Sequence, residues 1–357
     1  MKIAEVAPLY ESVPPKLYGG TERVVSYLTE ELVELGHEVT LFASGDSETA
    51  ARLVPACPSS LRLDQGCIDQ LAHHYVMLEE VMERAAEFDI IHFHVDYLHF
   101  PFLRILGFPH VTTLHGRLDL PDLVPLYRKY RHIPVVSISR GQRKPLGWAN
   151  WVGNVYHGLP AGGLSPGDGD GGYLAFLGRI CPEKRPDRAI QIALQVGIPL
   201  KIAAKVDRAD REYYEAKIKP LLVNPNIEYV GEIAERQKAQ FLGNAYAHLF
   251  PIDWPEPFGL TVIEAMACGT PTIAFNCGSV PEVITQGVTG LIVNNVEEAV
   301  DAVAEVSTLN RAACRQEFET QFTASRMARD YVNLYEAVLN AKSLSSETPE
   351  VDSCLSL

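Results

Sequence analysis

Residues 247–282 read AHLFPIDWPEPFGLTVIEAMACGTPTIAFNCGSVPE. Ala247–Phe250 and Thr272–Phe275 are short, mostly apolar runs of the kind that form buried strands. Between them Pro255, Pro257 and Gly259 mark a turn, and the stretch from about Leu260 to Ala267 reads as a helix. Strand, loop, helix, strand is one unit of a parallel sheet. Strands that are apolar throughout leave no face for water, so such a sheet must be covered on both sides.

The same alternation extends in both directions. Around this stretch lie strand candidates at Tyr173–Leu177, Leu200–Ala204, Ile227–Val230 and Leu291–Val293, with helical patterns at Pro186–Val196 and Ala209–Leu222. Further upstream come Ile3–Ala7, Glu38–Ala43, Asp89–His94, His110–His115 and Pro134–Ser139. A helix is expected across Thr21–Gly36, where Val24, Val25, Leu28, Leu32 and Leu35 recur at helical spacing and Gly36 supplies the stop. Residues 159–172, LPAGGLSPGDGDGG, have no periodic apolar positions. Their glycines precede a strand instead of following one and opening a helix, so they read as a linker and not as a dinucleotide loop. The expectation is an α/β chain of two tandem, doubly wound, Rossmann-like domains, 1–160 and 173–322, joined by a linker over 161–172. A helix over 323–341 follows, with an apolar stripe of Met327, Tyr331, Leu334, Tyr335 and Val338 that needs burial, and then a polar tail, 342–357, expected to be disordered. Open α/β sheets take ligands beyond the carboxyl ends of their strands, so two facing sheets frame a cleft.

Composition narrows the function. The chain has 357 residues and a formal net charge of −14, so it lacks the cationic surplus that sequence-independent nucleic-acid binding requires. Seven scattered cysteines without a C-x-x-C pair indicate neither a disulfide framework nor a zinc site. No long apolar run and no leader-like N-terminus occur, so no transmembrane segment is expected and the cytoplasm is the expected location.

The chemistry-bearing residues fall at strand ends. Gly178-Arg179-Ile180-Cys181-Pro182-Glu183-Lys184 follows a strand. There Arg179 can fork two phosphate oxygens while Lys184 acts as a compact charge. Cations at that place stabilise a departing diphosphate and supply charge that a divalent metal would otherwise provide. Gly259 allows close backbone approach, and the helix start after it offers unpaired N–H groups to anions. Glu256 and Glu264 flank that helix start, where carboxylates can hold hydroxyl-rich groups at either end of a nucleotide sugar. Gly19 and Gly20 precede the first long helix and form a second close-approach loop. His115 projects beyond its strand. His92 and His94 alternate along another strand and share a face, yet no third metal ligand at suitable spacing is evident. Arg128, Lys129, Arg131, Arg140, Arg143 and Lys144 form a basic cluster that reads as a solvated face or as a surface for an anionic acceptor.

FLGRICPEK (176–184), EPFGLTVIEAMACGTPTIAF (256–275) with its Glu-x7-Glu pattern, and GSVPE (278–282) together resemble the family-4 retaining glycosyltransferases of the GT-B fold. The resemblance extends from the Gly19–Glu22 loop to the last helix. It implies that Arg179 and Lys184 bind the diphosphate, and that Glu256 contacts the donor sugar beside the backbone of Phe258, Gly259 and Leu260. It further implies that Glu264 binds the ribose hydroxyls, that His115 lies by the reacting centre, and that His94 and Asp96 line the acceptor side. The last helix would cross back onto the first domain. Arg179, Lys184, Glu256 and His115 are then the catalytic set, with Gly19 and Gly20 on the donor side. Neither a metal nor a resident cofactor is expected. The partners are a nucleotide-diphosphate sugar and a small-molecule, glycan or lipid-linked acceptor. A nucleotide-sugar 2-epimerase of the same architecture and a non-catalytic sugar-nucleotide sensor are the competing readings. A dehydrogenase is disfavoured, because no strand-linked G-x-G-x-x-G occurs.

Overall fold

The computed structural model describes residues 1–16, 19–103 and 107–347, with side chains to residue 341. The first sheet consists of β1 (Lys2–Val6), β2 (Glu38–Ser44), β3 (Arg52–Cys57), β4 (Ile90–Phe93), β5 (His110–Thr113), β6 (Val135–Ser137) and β7 (Trp151–Asn154). All its pairings are parallel, in the order β3-β2-β1-β4-β5-β6-β7. The second consists of β8 (Leu174–Arg179), β9 (Leu200–Lys205), β10 (Ile227–Gly231), β11 (Ala247–Phe250), β12 (Thr272–Phe275) and β13 (Gly290–Val293). It too is wholly parallel, in the order β10-β9-β8-β11-β12-β13. Strand order reverses between β1 and β4 and again between β8 and β11, and such a reversal opens a ligand crevice at the carboxyl edge. The two doubly wound domains expected from the alternation are both present.

Each sheet is buried on both faces, as its apolar strands require. Ile3, Ile90, Val111 and Val136 pack with Val24, Leu28 and Leu32 of the Gly20–Glu34 helix on one side. Their strand neighbours Ala4, Val6, Ile91 and Phe93 pack with Met77, Leu78 and Val81 on the other. In the second sheet Phe176, Ile202 and Leu249 face one core, and Ala175, Ala203 and Phe250 face the opposite one.

The stripe on the last helix, Ala324–Glu347, finds its partner in the first domain. Met327, Ala328, Tyr331 and Tyr335 complete that domain's core, with Leu334 and Val338 packed at its margin. To get there the chain passes back beside its own linker. Leu159 N–H donates to Phe322 O at 2.9 Å, and Ala324 N–H donates to Leu159 O at 2.8 Å. A Cβ on Gly158 would come within 2.2 Å of Thr323 O, so only glycine allows the two passes to lie so close. No strand or helix falls in 161–172.

Several local expectations differ. β3 and β7 are edge strands with partly exposed side chains, and β3 contains Pro55. Their weak apolar signal follows from that position, since an edge strand buries less and tolerates a residue without an N–H. The run expected as one helix over Ala209–Leu222 is a series of short segments of changing pitch. A π segment at Tyr214–Ile218 gives way to a 3₁₀ segment at Lys219–Val223. Pro220 has no amide hydrogen and disrupts regular i→i−4 bonding there. The last helix continues past Lys342, where a disordered tail was expected to start, as far as Glu347; 348–357 lie outside the described residues. Among the described residues no helix is long and apolar enough to cross a membrane.

Candidate active site between the two sheets

The carboxyl ends of the two sheets enclose a cleft of about 560 Å³. The first domain contributes Gly20, Arg23, Tyr27, His115 and His157 to its wall, and the second contributes Arg179, Lys184, Lys205, Glu256 and Glu264. A volume of roughly 300–1,000 Å³ suits a small-molecule ligand.

The loop after β11 is held by backbone constraints that its sequence anticipates. Gly259 adopts φ +89° and Gly278 φ +60°, both in the left-handed region. A Cβ on Gly278 would stand 2.4 Å from the backbone N and O of Glu256. Ser279 N–H donates to Glu256 O at 3.0 Å, and Ser279 Oγ donates to Phe258 O at 2.7 Å. From the first domain, Ser139 Oγ donates to Pro257 O at 2.6 Å. The Glu256 side chain is therefore aimed by a pinned backbone. Its Oε2 accepts from Lys184 Nζ. That ammonium also lies 5.3 Å from the Phe250 ring centroid and 5.4 Å from that of Trp254, whose faces favour a cation. Arg179, at the end of β8, lines the same cleft and forms ion pairs with Asp210 at 3.3 Å and Asp207 at 3.7 Å.

Glu264 is 1% exposed, and its Oε1 accepts both Arg23 Nη1 at 2.6 Å and Lys238 Nζ at 2.7 Å. Burial alone would raise its carboxyl pKa, but attraction to the Lys238 and Arg23 cations outweighs burial and holds it below the usual value. Arg23 belongs to the first domain, so this buried ion pair also bridges the cleft.

Facing it, Gly20 opens the Gly20–Glu34 helix at the cleft wall. A Cβ on Gly20 would lie 3.7 Å from Leu260 Cδ1, so the starts of the first-domain helix and of the Leu260–Ala267 helix confront each other. Both present unpaired N–H groups and partial positive charge. Gly19 is packed against Pro15 and is not among the residues lining the cleft; a Cβ there would meet Pro15 Cβ at 2.8 Å.

His115 lines the cleft, its ring stacked on His157 with centroids 5.3 Å apart. Behind it, His115 Nε2 is 2.8 Å from His94 Nδ1, and His94 Nε2 is 2.7 Å from Glu5 Oε2. His94 is thus a buried neighbour of His115 and not part of the cleft wall. Asp96 lies exposed just past β4, with φ 49°, outside that wall as well. The structure therefore brings Gly20, His115, Arg179, Lys184, Glu256, Phe258, Gly259, Leu260 and Glu264 to one cavity, and leaves Gly19, His94 and Asp96 beside it.

Other residues enter that were not singled out. Lys205 ends β9 at the cleft, and its strand-end position is the signal that could have marked it. Arg23 sits in the first turn after the paired glycines, a similar hint. Lys238 lies within a helix of ordinary polar composition, and nothing local distinguishes it. Glu5 lies inside β1, wholly buried, with ligand-capable atoms within 4.8 Å of those of His92 and His94. It is the third group missing from the sequence pattern. Among the basic cluster, Arg128 lies over the Trp148 ring and Arg143 donates to Ser137 Oγ at 2.6 Å; none of the six lines the cleft. Glu282 of GSVPE serves the domain junction: its carboxylate accepts Arg140 N–H at 2.7 Å and Gly141 N–H at 2.5 Å.

A family profile described as "Glycosyltransferase Family 4" matches residues 18–152, and one described as "Glycosyl transferases group 1" matches residues 166–321. The D-inositol 3-phosphate glycosyltransferase of Kribbella flavida is 32% identical over 38% of this chain and 35% of that protein. The chain spans about a third of the length of the first curated relatives it matches. Among solved structures, sucrose-phosphate synthase of Thermosynechococcus elongatus aligns over 95% of this chain and 99% of its own, with TM-score 0.78 and 18% identity. HepE of Anabaena, solved with UDP and glucose, aligns over 97% and 100%, with TM-score 0.72 and 16% identity. At such identities the likeness is one of fold. The two profiles lie either side of residues 153–165 and between them take in most of both sheets, so the chain belongs to the family-4 glycosyltransferases of the GT-B fold.

Proposed function

We propose that the chain transfers a sugar from a nucleoside-diphosphate donor to an acceptor hydroxyl, with retention of configuration and without a metal ion. The observation that carries the reading is the gathering of Lys184, Arg179 and Lys205 with the Leu260 helix start in the cleft that also holds the carboxylates of Glu256 and Glu264. Cations and unpaired N–H groups suit a diphosphate; buried carboxylates suit paired hydroxyls. In this reading the diphosphate lies between Arg179, Lys184 and the helix start, Glu264 takes the ribose, Glu256 takes the donor sugar, and His115 stands by the reacting centre. The acceptor oxygen bonds to the anomeric carbon as the bond to the phosphate oxygen breaks on the same face. That departing oxygen receives the acceptor's proton, and the fixed cations hold the charge that develops on it. HepE has been solved with UDP-glucose and Arabidopsis starch synthase IV with ADP, which supports a nucleotide sugar as donor here.

The test is a thermal-shift panel of nucleotide sugars, followed by turnover of the stabilising donor with acceptor pools in the presence and absence of EDTA. The reading expects transfer at the same rate in EDTA and an anomeric NMR signature of retention. An inverted product, an EDTA-abolished rate, or epimer formation from donor alone each contradicts part of it.

A further inference from the structure

Beneath the cleft wall a polar cluster is enclosed in the otherwise apolar core between the first sheet and the last helix. Its members are Glu5 of β1, His92 of β4, His94 just beyond it, Thr113 of β5, and Tyr331 and Tyr335 of the Ala324–Glu347 helix, all buried. With His92 and His94 neutral, the hydrogen bonds in it can be given directions. Tyr335 O–H donates to Glu5 Oε1 at 3.1 Å, so its oxygen accepts from His92 Nδ1–H at 2.7 Å. His92 Nε2 then accepts from Thr113 O–H at 2.7 Å, and Thr113 Oγ1 accepts from Tyr331 O–H at 2.9 Å. On the other side, a carboxylate accepts only, so His94 Nε2–H donates to Glu5 Oε2. A neutral His94 is left with a lone pair on Nδ1, which accepts from His115 Nε2–H. His115 Nδ1 then carries no proton; it is buried, and among the described residues it has no hydrogen-bond partner.

We infer that Glu5 and His94 are positioning residues for His115: they fix it at the cleft wall as the neutral Nε2–H tautomer, with the buried Nδ1 an acceptor and not a donor. This rests on the reading of the cleft as a sugar-transfer site, and it deepens that reading. A sugar or acceptor hydroxyl that seats against the wall can donate to that atom, whereas a phosphate oxygen, which needs a donor, cannot be held by it. The ionisation states agree with the chain. Burial opposes charge on Glu5, but its two histidine neighbours overcome it and bring its pKa to about 2. Burial takes His94 down to about 4 despite its bond to Glu5. Burial takes His115 well below its ordinary value. The spacing of Glu5, His92 and His94 also suits a metal ion, but hydrogen bonds already occupy both ring nitrogens of each histidine.

Histidine side-chain ¹⁵N NMR on the wild-type protein tests the inference without any ligand, with the His115 ring assigned by its loss in His115→Gln. At pH 7 the ring should show protonated Nε2 and unprotonated Nδ1. In Glu5→Gln, whose amide can donate to His94 and reverse the chain, the Nδ1–H form should appear. Turnover of the active nucleotide sugar should then fall at least tenfold, with KM for the donor within about twofold. Nδ1–H in the wild type overturns the inference, as does Glu5→Gln with unchanged tautomer and turnover. So does zinc that survives dialysis at one per chain and is lost in Glu5→Gln. If Glu5→Gln fails to unfold cooperatively, the wild-type spectrum decides alone. Full activity in His115→Gln would sink the role given to His115 in the cleft. An inactive His115→Gln beside an unperturbed Glu5→Gln sinks only the positioning chain.

Discussion

Replacing Lys184 by methionine keeps most of the side chain's length and removes its charge. In the structure that charge does two things: it faces the cleft, and it neutralises Glu256, whose side chain is 10% exposed. A charge-assisted hydrogen bond to a phosphate oxygen contributes roughly 1.5–3 kcal/mol. Losing the partner also leaves Glu256 as an unpaired anion turned toward a dianionic group. At about 4 Å and an effective dielectric near 20, two unit charges interact by ~4 kcal/mol, and water entering an open cleft reduces this to ~1 kcal/mol. Arg179, 37% exposed, and Lys205 remain to share the load, so no further loss is added. The sum, about 2.5–4 kcal/mol, corresponds to a fall of roughly 10²–10³ in kcat/KM for the donor. Initial rates of nucleoside-diphosphate release measure it. A calorimetric titration with the free nucleoside diphosphate separates the two parts. Because this ligand lacks the sugar, Lys184→Met/Glu256→Gln should bind it more tightly than Lys184→Met alone. A kcat/KM within threefold of wild type, or a double variant no better than the single, refutes the reasoning.

Glu264→Gln should weaken nucleoside-diphosphate binding and lower stability by about 1.5–3 kcal/mol, because Arg23 and Lys238 lose its charge-assisted hydrogen bonds and keep Glu235, at 3.5 and 2.8 Å, as a shared anion; unchanged affinity would remove its ribose role. Gly278→Ala should cost roughly 1–2 kcal/mol in backbone strain and, with its Cβ 2.4 Å from Glu256 backbone atoms, displace the loop and lower kcat. Wild-type kcat in that variant would show that the loop's position does not matter. Acid should destabilise the fold. Burial sets His94 and His248 at about 4 and His157 at about 3, below their unfolded value of 6.5. As pH falls from 6.5 toward 4 the unfolded chain binds protons that the folded one refuses, so stability drops, by up to about 1.4 kcal/mol for each tenfold loss in a histidine's proton affinity on folding. Glu22, raised by burial to about 7, binds its proton first in the folded state and offsets part of this between pH 7 and 4.5. Urea midpoints at pH 7.5 and 5 compare the two, and an equal or higher midpoint at pH 5 contradicts the balance.

Strand alternation, the glycine and proline punctuation around Glu256, and the Arg179–Lys184 loop were legible from the chain alone, because each depends on residues close in sequence. Periodic apolar runs specify buried strands and helices whatever they pack against, and a strand end in an open sheet is a ligand site by geometry. The edge strands β3 and β7 and the broken helix after Arg208 were not legible, since their stability comes from neighbours and not from their own pattern. Nor were the pairings that span the fold. Arg23 with Glu264, Lys184 with Glu256, and the path from Tyr335 through Glu5 and His94 to His115 join residues far apart in the chain. A buried polar group must find its partner in three dimensions or lose its hydration uncompensated. The amino-acid order therefore determined the two sheets and where their active edges lie. Only the closing of one domain over the other, with the last helix laid back across the first, decided which charges meet there and which nitrogen of His115 is left without a partner.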